Sequence, residues 1–242
     1  ALPGAGNSIA FGAGIYASDL SLGVGSLVLR VGDQGDAIHL TNFVPWDVYG
    51  RRTVERFSFA DGTVLGYDEL LERGFDLAGT EGDDLIEGTN LADRVQGLGG
   101  SDSIETGGGD DVLDGGAGVD FLVGGDGNDR YVFGYGSGED WLEDYDPDGD
   151  DIDAVVLAEG VAPQDVTVSR DRQSLYLKLQ GGGDRLTMYG FFSAPEYGIE
   201  SIRFADGTQW DKAAVLERLP VVAGETDDYL EGSAGPDTLS GY

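Results

Sequence analysis

The sequence predicts a mostly β protein in which a central run of short turn-and-strand units lies between two homologous β-rich modules, each with one short helix. Three observations predict this class. A nine-residue period repeats without a gap from Gly79 to Val132, and a second period of about 145 residues pairs the segment before those nonads with the segment after them. Glycine, at 42 of 242 residues, stands far above its usual share while proline numbers only 7, which excludes collagen and leaves room for strands joined by tight turns.

The first module spans residues 1–75. Leu27, Leu29 and Val31, then Ile38 and Leu40, alternate with other residues over strand-length runs, and Ala60-Asp61-Gly62-Thr63 supplies a tight turn after the next strand. Tyr67 to Arg73 form a short helix with Leu70 and Leu71 on one side, stopped at Gly74.

The central segment, 76–152, holds six nonads, starting at Gly79, Gly88, Gly97, Thr106, Gly115 and Gly124. Position six is always Asp (Asp84, Asp93, Asp102, Asp111, Asp120, Asp129). Position eight is always apolar (Ile86, Val95, Ile104, Leu113, Leu122, Tyr131), and position four is Gly except at Leu91. Six residues turn and three extend, so position eight points inward at every pass. After a two-residue insertion Gly136 to Leu142 restores the pattern, and Asp144, Asp146, Asp148, Asp150 and Asp151 crowd behind it.

The second module, 153–220, repeats the first. Phe204 to Thr208 copies Phe59 to Thr63, Gly160 to Val168 matches Gly14 to Leu22, and Ser174 to Leu179 matches Ser26 to Val31. Val215 to Arg218 matches the helix at Leu70 to Arg73 and stops before Pro220. From 221 to 242, Asp228, Leu230, Gly232, Asp237 and Leu239 resume the nonad register, so the chain reads as a piece of a longer tandem array.

Composition narrows the function. With 46 Asp and Glu against 14 Lys and Arg, the net charge of −32 repels nucleic acid and anionic membrane surfaces. About 40% apolar residues, with 3 Trp, 11 Tyr and 10 Phe, suffice for real cores. No cysteine is present, and no apolar run approaches the roughly 18–20 residues of a membrane span. Ala1-Leu2-Pro3-Gly4 lacks the basic and apolar regions of a signal peptide, so export would use a signal outside this segment.

Glycines permit positive φ and close backbone approach, so carbonyl oxygens converge in each loop beside the repeated carboxylate. Oxygen ligands without His or Cys select a hard cation, and calcium tolerates irregular geometry where magnesium demands an octahedron. The Gly12-Ala13-Gly14-Ile15-Tyr16-Ala17 run fits a dinucleotide fingerprint formally, but no strand opens into a long helix there. No nucleophile elbow, HExxH or Walker motif occurs, His39 sits mid-strand without triad or zinc partners, and the phased carboxylates suit a glycosidase pair poorly. The segment therefore reads as non-catalytic. Trp46, Trp141 and Trp210 are expected in the core rather than as sugar platforms.

Gly115-Gly116-Ala117-Gly118-Val119-Asp120-Phe121-Leu122 and Gly124-Gly125-Asp126-Gly127-Asn128-Asp129 resemble the GGxGxDxUx calcium-binding nonapeptides of RTX (repeats-in-toxin) proteins. The flanks resemble the module that follows such repeats in haemolysin-type and adenylate-cyclase toxins. The resemblance implies a parallel β-roll with two nonads per turn and loops eighteen residues apart stacked on one edge. Each calcium would lie between stacked loops, held by both Asp side chains and by carbonyls of positions two and four below and one and three above. One edge would pair Asp84 with Asp102 and Asp102 with Asp120; the other would pair Asp93 with Asp111 and Asp111 with Asp129.

Carried onto this chain, the ligand set is Thr80, Gly82 and Asp84 in the first loop, Thr89, Leu91 and Asp93 in the second, and Gly97, Leu98, Gly99, Gly100 and Asp102 in the third. It continues through Thr106, Gly107, Gly108, Gly109 and Asp111, then Gly115, Gly116, Ala117, Gly118 and Asp120, then Gly124, Gly125, Asp126, Gly127 and Asp129. Tyr135, Ser137, Asp140, Asp144 and Asp151 extend it, for about four to six Ca2+ ions in all. Thr80, Thr89, Leu98 and Thr106 stand where glycine is expected and Leu91 fills a fourth position, so the first two loops should bind more weakly.

The implied function is calcium-dependent folding of a larger secreted bacterial protein, a toxin, adhesin or exoprotein, supporting type I secretion. Its partners would be calcium and neighbouring tandem repeats of the same chain. The alternative is a β-roll ligand-binding module for carbohydrate or surface adhesion.

Overall fold

The structure, a computed structural model, describes residues 6–24, 27–32, 34–41, 43–50, 52–146, 151–193, 197–222 and 239–240. The nonads build a parallel β-roll. Strands Leu85–Glu87, Ser103–Gly108, Phe121–Asp126 and Glu139–Glu143 stack into one sheet, and Asp93–Gln96, Val112–Asp114, Arg130–Phe133 and Ala154–Leu157 into the other. Register follows the repeat: Ile86 pairs with Ile104 and Ile104 with Leu122 on one side, Val95 with Leu113 and Leu113 with Tyr131 on the other, each step being eighteen residues.

Position eight faces inward as the period requires. Val95, Ile104, Leu113, Leu122 and Tyr131 are buried between the two sheets, and Ile86 packs against their edge. Strands are longer than the three residues expected in two copies, Ser103–Gly108 and Phe121–Asp126, which run on around the corner. A further two-residue ladder joins Gly99–Gly100 to Ala117–Gly118 inside the loops.

Both flanks follow the long period. The first has antiparallel strands Leu20–Gly23, Leu27–Val31 and Asp36–Leu40, then a sheet of Ser8–Ala10, Arg56–Ser58 and Val64–Gly66, then helix Tyr67–Leu71. Gly74, at φ 72, ends that helix with its N–H on the Leu71 carbonyl. The second copy has Val166–Arg170, Leu175–Leu179 and Arg185–Tyr189, then Ser201–Arg203 and Gln209–Asp211, then helix Lys212–Leu216 capped by the Asp211 carboxylate, which accepts from Ala214 N–H at 2.8 Å.

The copies join the roll differently. In the second, Arg185–Tyr189 pairs in parallel with Glu139–Glu143 and Ser201–Arg203 with Ala154–Leu157; with Phe75–Ala78 paired in parallel with Asp93–Gln96 at the opening of the roll, each roll sheet has seven strands. The first keeps its own sheets and covers the opening turn, where Asn90 N–H donates to the Pro45 carbonyl and Phe43 packs on Phe75. One buried apolar cluster runs from Phe11 to Val215 through roll and flanks. Beyond it, Val221–Val222 pairs in parallel with Leu239–Ser240, again eighteen residues on. The nonad residues Asp228, Leu230, Gly232 and Asp237, and Asp148 and Asp150, lie outside the described residues.

The expectation for tryptophan needs correction. Trp210 is buried against Phe204, but Trp46 is 76% exposed and Trp141 43% exposed. Trp141 is at position seven, one residue before the inward Leu142, and strand alternation turns it outward.

Candidate metal centre

The loops divide by backbone conformation. From the third copy onward, positions two and four take positive φ: Leu98 at 79°, Gly100 at 120°, Gly107 at 102°, Gly109 at 114°, Gly116 at 90°, Gly118 at 152°, Gly125 at 104° and Gly127 at 121°. Thr80, Gly82, Thr89 and Leu91 do not. Leu98 alone among described non-glycine residues adopts the left-handed region, because its neighbours impose the loop on a side chain that resists it. Gly118 shows why glycine is required at position four: a Cβ there would collide with the Gly100 carbonyl of the loop below.

The position-six carboxylates are stacked by a repeated hydrogen bond. Asp84 N–H donates to Asp102 Oδ1 at 2.8 Å, Asp102 N–H to Asp120 Oδ1 at 2.9 Å and Asp120 N–H to Asp140 Oδ1 at 3.1 Å. On the other edge Asp93 N–H donates to Asp111 Oδ1 at 2.7 Å, Asp111 N–H to Asp129 Oδ1 at 2.9 Å and Asp129 N–H to Asp153 Oδ1 at 2.7 Å. Each Asp thus fixes its neighbour with one oxygen. The second oxygen of Asp102, Asp111, Asp120 and Asp129 is buried and has no hydrogen-bond partner among the described residues.

Four buried, unpaired carboxylate oxygens in register are costly unless a cation meets them. Burial pushes Asp111 up to about 7, helped by the Asp93 and Asp110 charges, and Asp129 up to about 8, helped by Asp111, Asp153 and Asp151. Asp140 rises to about 7 and Asp93 to about 6, burial again being the main cause. These donors fit a hard divalent cation.

The first two loops are satisfied internally. Thr80 N–H and Thr80 Oγ1 both bond Asp84 Oδ2, at 2.6 and 2.9 Å, and Thr89 N–H and Oγ1 bond Asp93 Oδ2, at 2.6 and 3.2 Å. The Gly82 and Leu91 carbonyls lie within reach of the same Thr hydroxyls, at 3.3 and 3.1 Å, and share their single proton with the carboxylates. In these loops threonine serves oxygens that are left unpaired higher in the stack.

Of the remaining sequence candidates, Gly97, Gly99, Gly108, Gly115, Ala117 and Gly124 lie in the same stacked loops, and the Thr106 hydroxyl turns to the Gly124 carbonyl at 2.9 Å. Asp126 is exposed, and its carbonyl accepts from Gly109 N–H at 2.8 Å within the stacked loops. Tyr135 is half exposed, whereas the Ser137 carbonyl stacks on Gly118 N–H. Asp151 accepts from Gly127 N–H at 3.0 Å. Asp144 is brought inside: buried, bonded at one oxygen by the Tyr131 hydroxyl (3.1 Å), and unpaired at the other.

Asp144 converges with Asp129 and Asp153, whose ligand oxygens all lie within 4.8 Å of one another. The nonad period missed Asp153 because insertions place it 24 residues beyond Asp129 instead of eighteen. A local signal existed: Asp153-Ala154-Val155 repeats the Asp-x-apolar step of Asp129-Arg130-Tyr131. Asp184 and Glu200 were missed likewise. Asp184 accepts from Gly136 and Gly138 N–H at 3.0 Å, and Glu200 from Asp153 N–H at 2.8 Å, so both stacks are finished by carboxylates of the second module.

Comparison with known proteins agrees with this geometry. The RTX calcium-binding nonapeptide repeat profile matches residues 87–122, 96–131 and 222–242, and the haemolysin-type calcium binding protein related domain matches 27–69 and 175–214. No sequence among the curated proteins matches the chain at a significant level. Among solved structures, the extracellular lipase LipA from Serratia marcescens is 17% identical, with a TM-score of 0.37, over 76% of this chain and 32% of the lipase. A subunit of the Azotobacter vinelandii mannuronan C5-epimerase is 26% identical, with a TM-score of 0.35, over 50% of this chain and 87% of that one. The chain spans about a third of the lipase's length. The matched profiles describe calcium-binding repeats and a related domain, not a catalytic family. The chain is an RTX calcium-binding repeat module, its roll set between two haemolysin-type calcium binding protein related domains.

Proposed function

We propose that this module is a calcium-triggered folding unit of a larger secreted bacterial protein, loose where calcium is scarce and folded outside the cell. The observation that carries the reading is the set of unpaired, buried oxygens on Asp102 and Asp120 along one edge of the roll and on Asp111 and Asp129 along the other. In the absence of metal, these carboxylates sit on strands about 4.8 Å apart and repel one another. Bound calcium supplies the positive charge that lets the stacked carboxylates stay ionised in the folded form. Asp102 and Asp120 on one edge and Asp111 and Asp129 on the other would present that charge's ligands, the loops that carry them take positive φ at positions two and four, and the inward column of Val95, Ile104, Leu113, Leu122 and Tyr131 gives the loops a buried base.

The reading assigns four ions between the stacked pairs from Asp84 to Asp129 and one or two beyond, at Asp144 and Asp151. It divides the chain at 75, 152 and 220 into module, roll, module and the start of a second array. Chain loosening in low cytosolic calcium suits passage through a type I channel, and neighbouring tandem repeats are the partners in cis. No helix among the described residues is long and apolar enough to cross a membrane. Native mass spectrometry of the chain titrated with calcium tests the reading: four to six ions bound cooperatively support it, and binding of none or one overturns it.

A further inference from the structure

The outer face of one roll sheet carries a row that calcium binding does not use. Strand register lines up Leu85, Ser103, Phe121, Trp141, Thr187 and Tyr176 across six adjacent strands, from the start of the roll into the second module. Leu85 is 74% exposed, Phe121 41% and Trp141 43%, although the inward Ile104, Leu122 and Leu142 of the same sheet are buried. At about 4.8 Å per strand the row is roughly 24 Å long. Exposed Phe121 and Trp141, side by side on adjacent strands, give this track an aromatic platform, which an ordinary solvated face lacks.

Polar groups border the track. On one side Glu87, Glu105 and Glu143 share a row, ending at Tyr189. On the other a cavity of about 310 Å³ opens beside Glu139, Ser169, Tyr176, Lys178, Gly183 and Arg185. Two groups here lack partners among the described residues: the hydroxyl of Thr187, which is 1% exposed and stands in the row between Trp141 and Tyr176, and Arg185 Nε, whose guanidinium otherwise pairs with Glu139 at 2.9 Å. A buried hydroxyl left unpaired beside two aromatic rings is a place for a ligand that carries its own hydrogen-bonding groups.

We infer that this face binds a neutral polysaccharide, its sugar rings stacked on Phe121 and Trp141 and its hydroxyls bonded to the flanking carboxylates and Thr187. Tyr176, whose ring carries the Arg185 guanidinium and whose hydroxyl donates to Asp171, closes the end of the track. Charge decides between neutral and acidic glycans. Four carboxylates edge the track against two cations, one of them already paired, on a chain of net charge −32. A polyuronate would be repelled, whereas hydroxyl donors meet a line of acceptors. The face exists only on the folded roll and so rests on the calcium reading.

The test is affinity electrophoresis of the whole chain in millimolar calcium through gels containing soluble neutral glucans, galactans or mannans, with polygalacturonate as the acidic arm. Retardation by a neutral polysaccharide is expected, weakened about tenfold or more in the Trp141→Ser variant and in the milder Phe121→Ser, which copies Ser103 of the same row. Tyr16→Ser, at an exposed aromatic of the first module outside this row, should bind as the parent does. Circular dichroism in calcium separates loss of the site from loss of the fold: a variant that keeps the roll and loses retardation supports the site. No retardation by any neutral glycan, stronger retardation by polygalacturonate, or equal retardation of the parent and a folded Trp141→Ser overturns the inference; association of the chain with itself through this face, abolished by Trp141→Ser, would do so too.

Discussion

Asp111→Asn is the most informative substitution because Asp111 stands between two candidate sites and is fully buried. Its Oδ1 accepts from Asp93 N–H, its own N–H donates to Asp129 Oδ1, and its Oδ2 has no partner. Asparagine keeps the shape and one acceptor but removes the charge. In chelator at pH 8 the folded form must hold a carboxylate whose pKa burial has raised from 3.8 to about 7, a shift that destabilises the folded form by roughly 4 kcal/mol. Asparagine relieves that term, so calcium-free stability should rise.

In calcium the sign reverses. Each site contributes about 2.7 kcal/mol at a hundredfold excess over its dissociation constant, so weakening two removes about 5 kcal/mol of calcium-linked stability. Urea denaturation followed by tryptophan fluorescence, in calcium and in chelator, reads both effects. Asp84→Asn, which touches one site and whose Oδ2 is already bonded by Thr80, should lose about half as much. An Asp111→Asn variant whose calcium increment matches that of Asp84→Asn would refute the shared-ligand reasoning.

Other expectations follow from the same geometry. Asp93, Asp111, Asp129 and Asp140 have folded-state values raised to about 6, 7, 8 and 7, so the calcium-free fold binds more protons than the unfolded chain between about pH 4 and 8. In chelator its stability should therefore rise as pH falls from 8 to 5, a gain in β signal by circular dichroism, while calcium affinity falls because protons compete for the same oxygens. Leu98→Gly should stabilise the calcium-loaded fold by about 1 kcal/mol in urea denaturation, since it relieves the left-handed φ of 79° at a partly exposed residue. Gly118→Ala should cost about 3 kcal/mol or more and abolish cooperative calcium binding in calorimetry, because its Cβ strikes the Gly100 carbonyl.

The roll was legible because its signal repeats: an Asp at position six and an apolar residue at position eight, six times in register, fix both the turn length and the buried column. The weakness of the first loops was legible too, since Thr80 and Thr89 occupy glycine positions and the structure gives them ordinary φ with their hydroxyls on Asp84 and Asp93. The end of the stack was not. Between Asp129 and Asp153 insertions break the period, and Asp184 and Glu200 reach the edges through strand pairing with the second module, a tertiary event that no local spacing encodes. The outward face was misjudged for a related reason: aromatic residues were assigned to the core by type, whereas strand parity decides, and Trp141 has the wrong parity for burial.

The central claim is that calcium decides whether the roll folds, and far-ultraviolet circular dichroism of the chain titrated with calcium and then with excess chelator tests it most directly. The account predicts a cooperative rise of β signal with calcium and its loss on chelation at pH 8. Full β structure in excess chelator at that pH would contradict it.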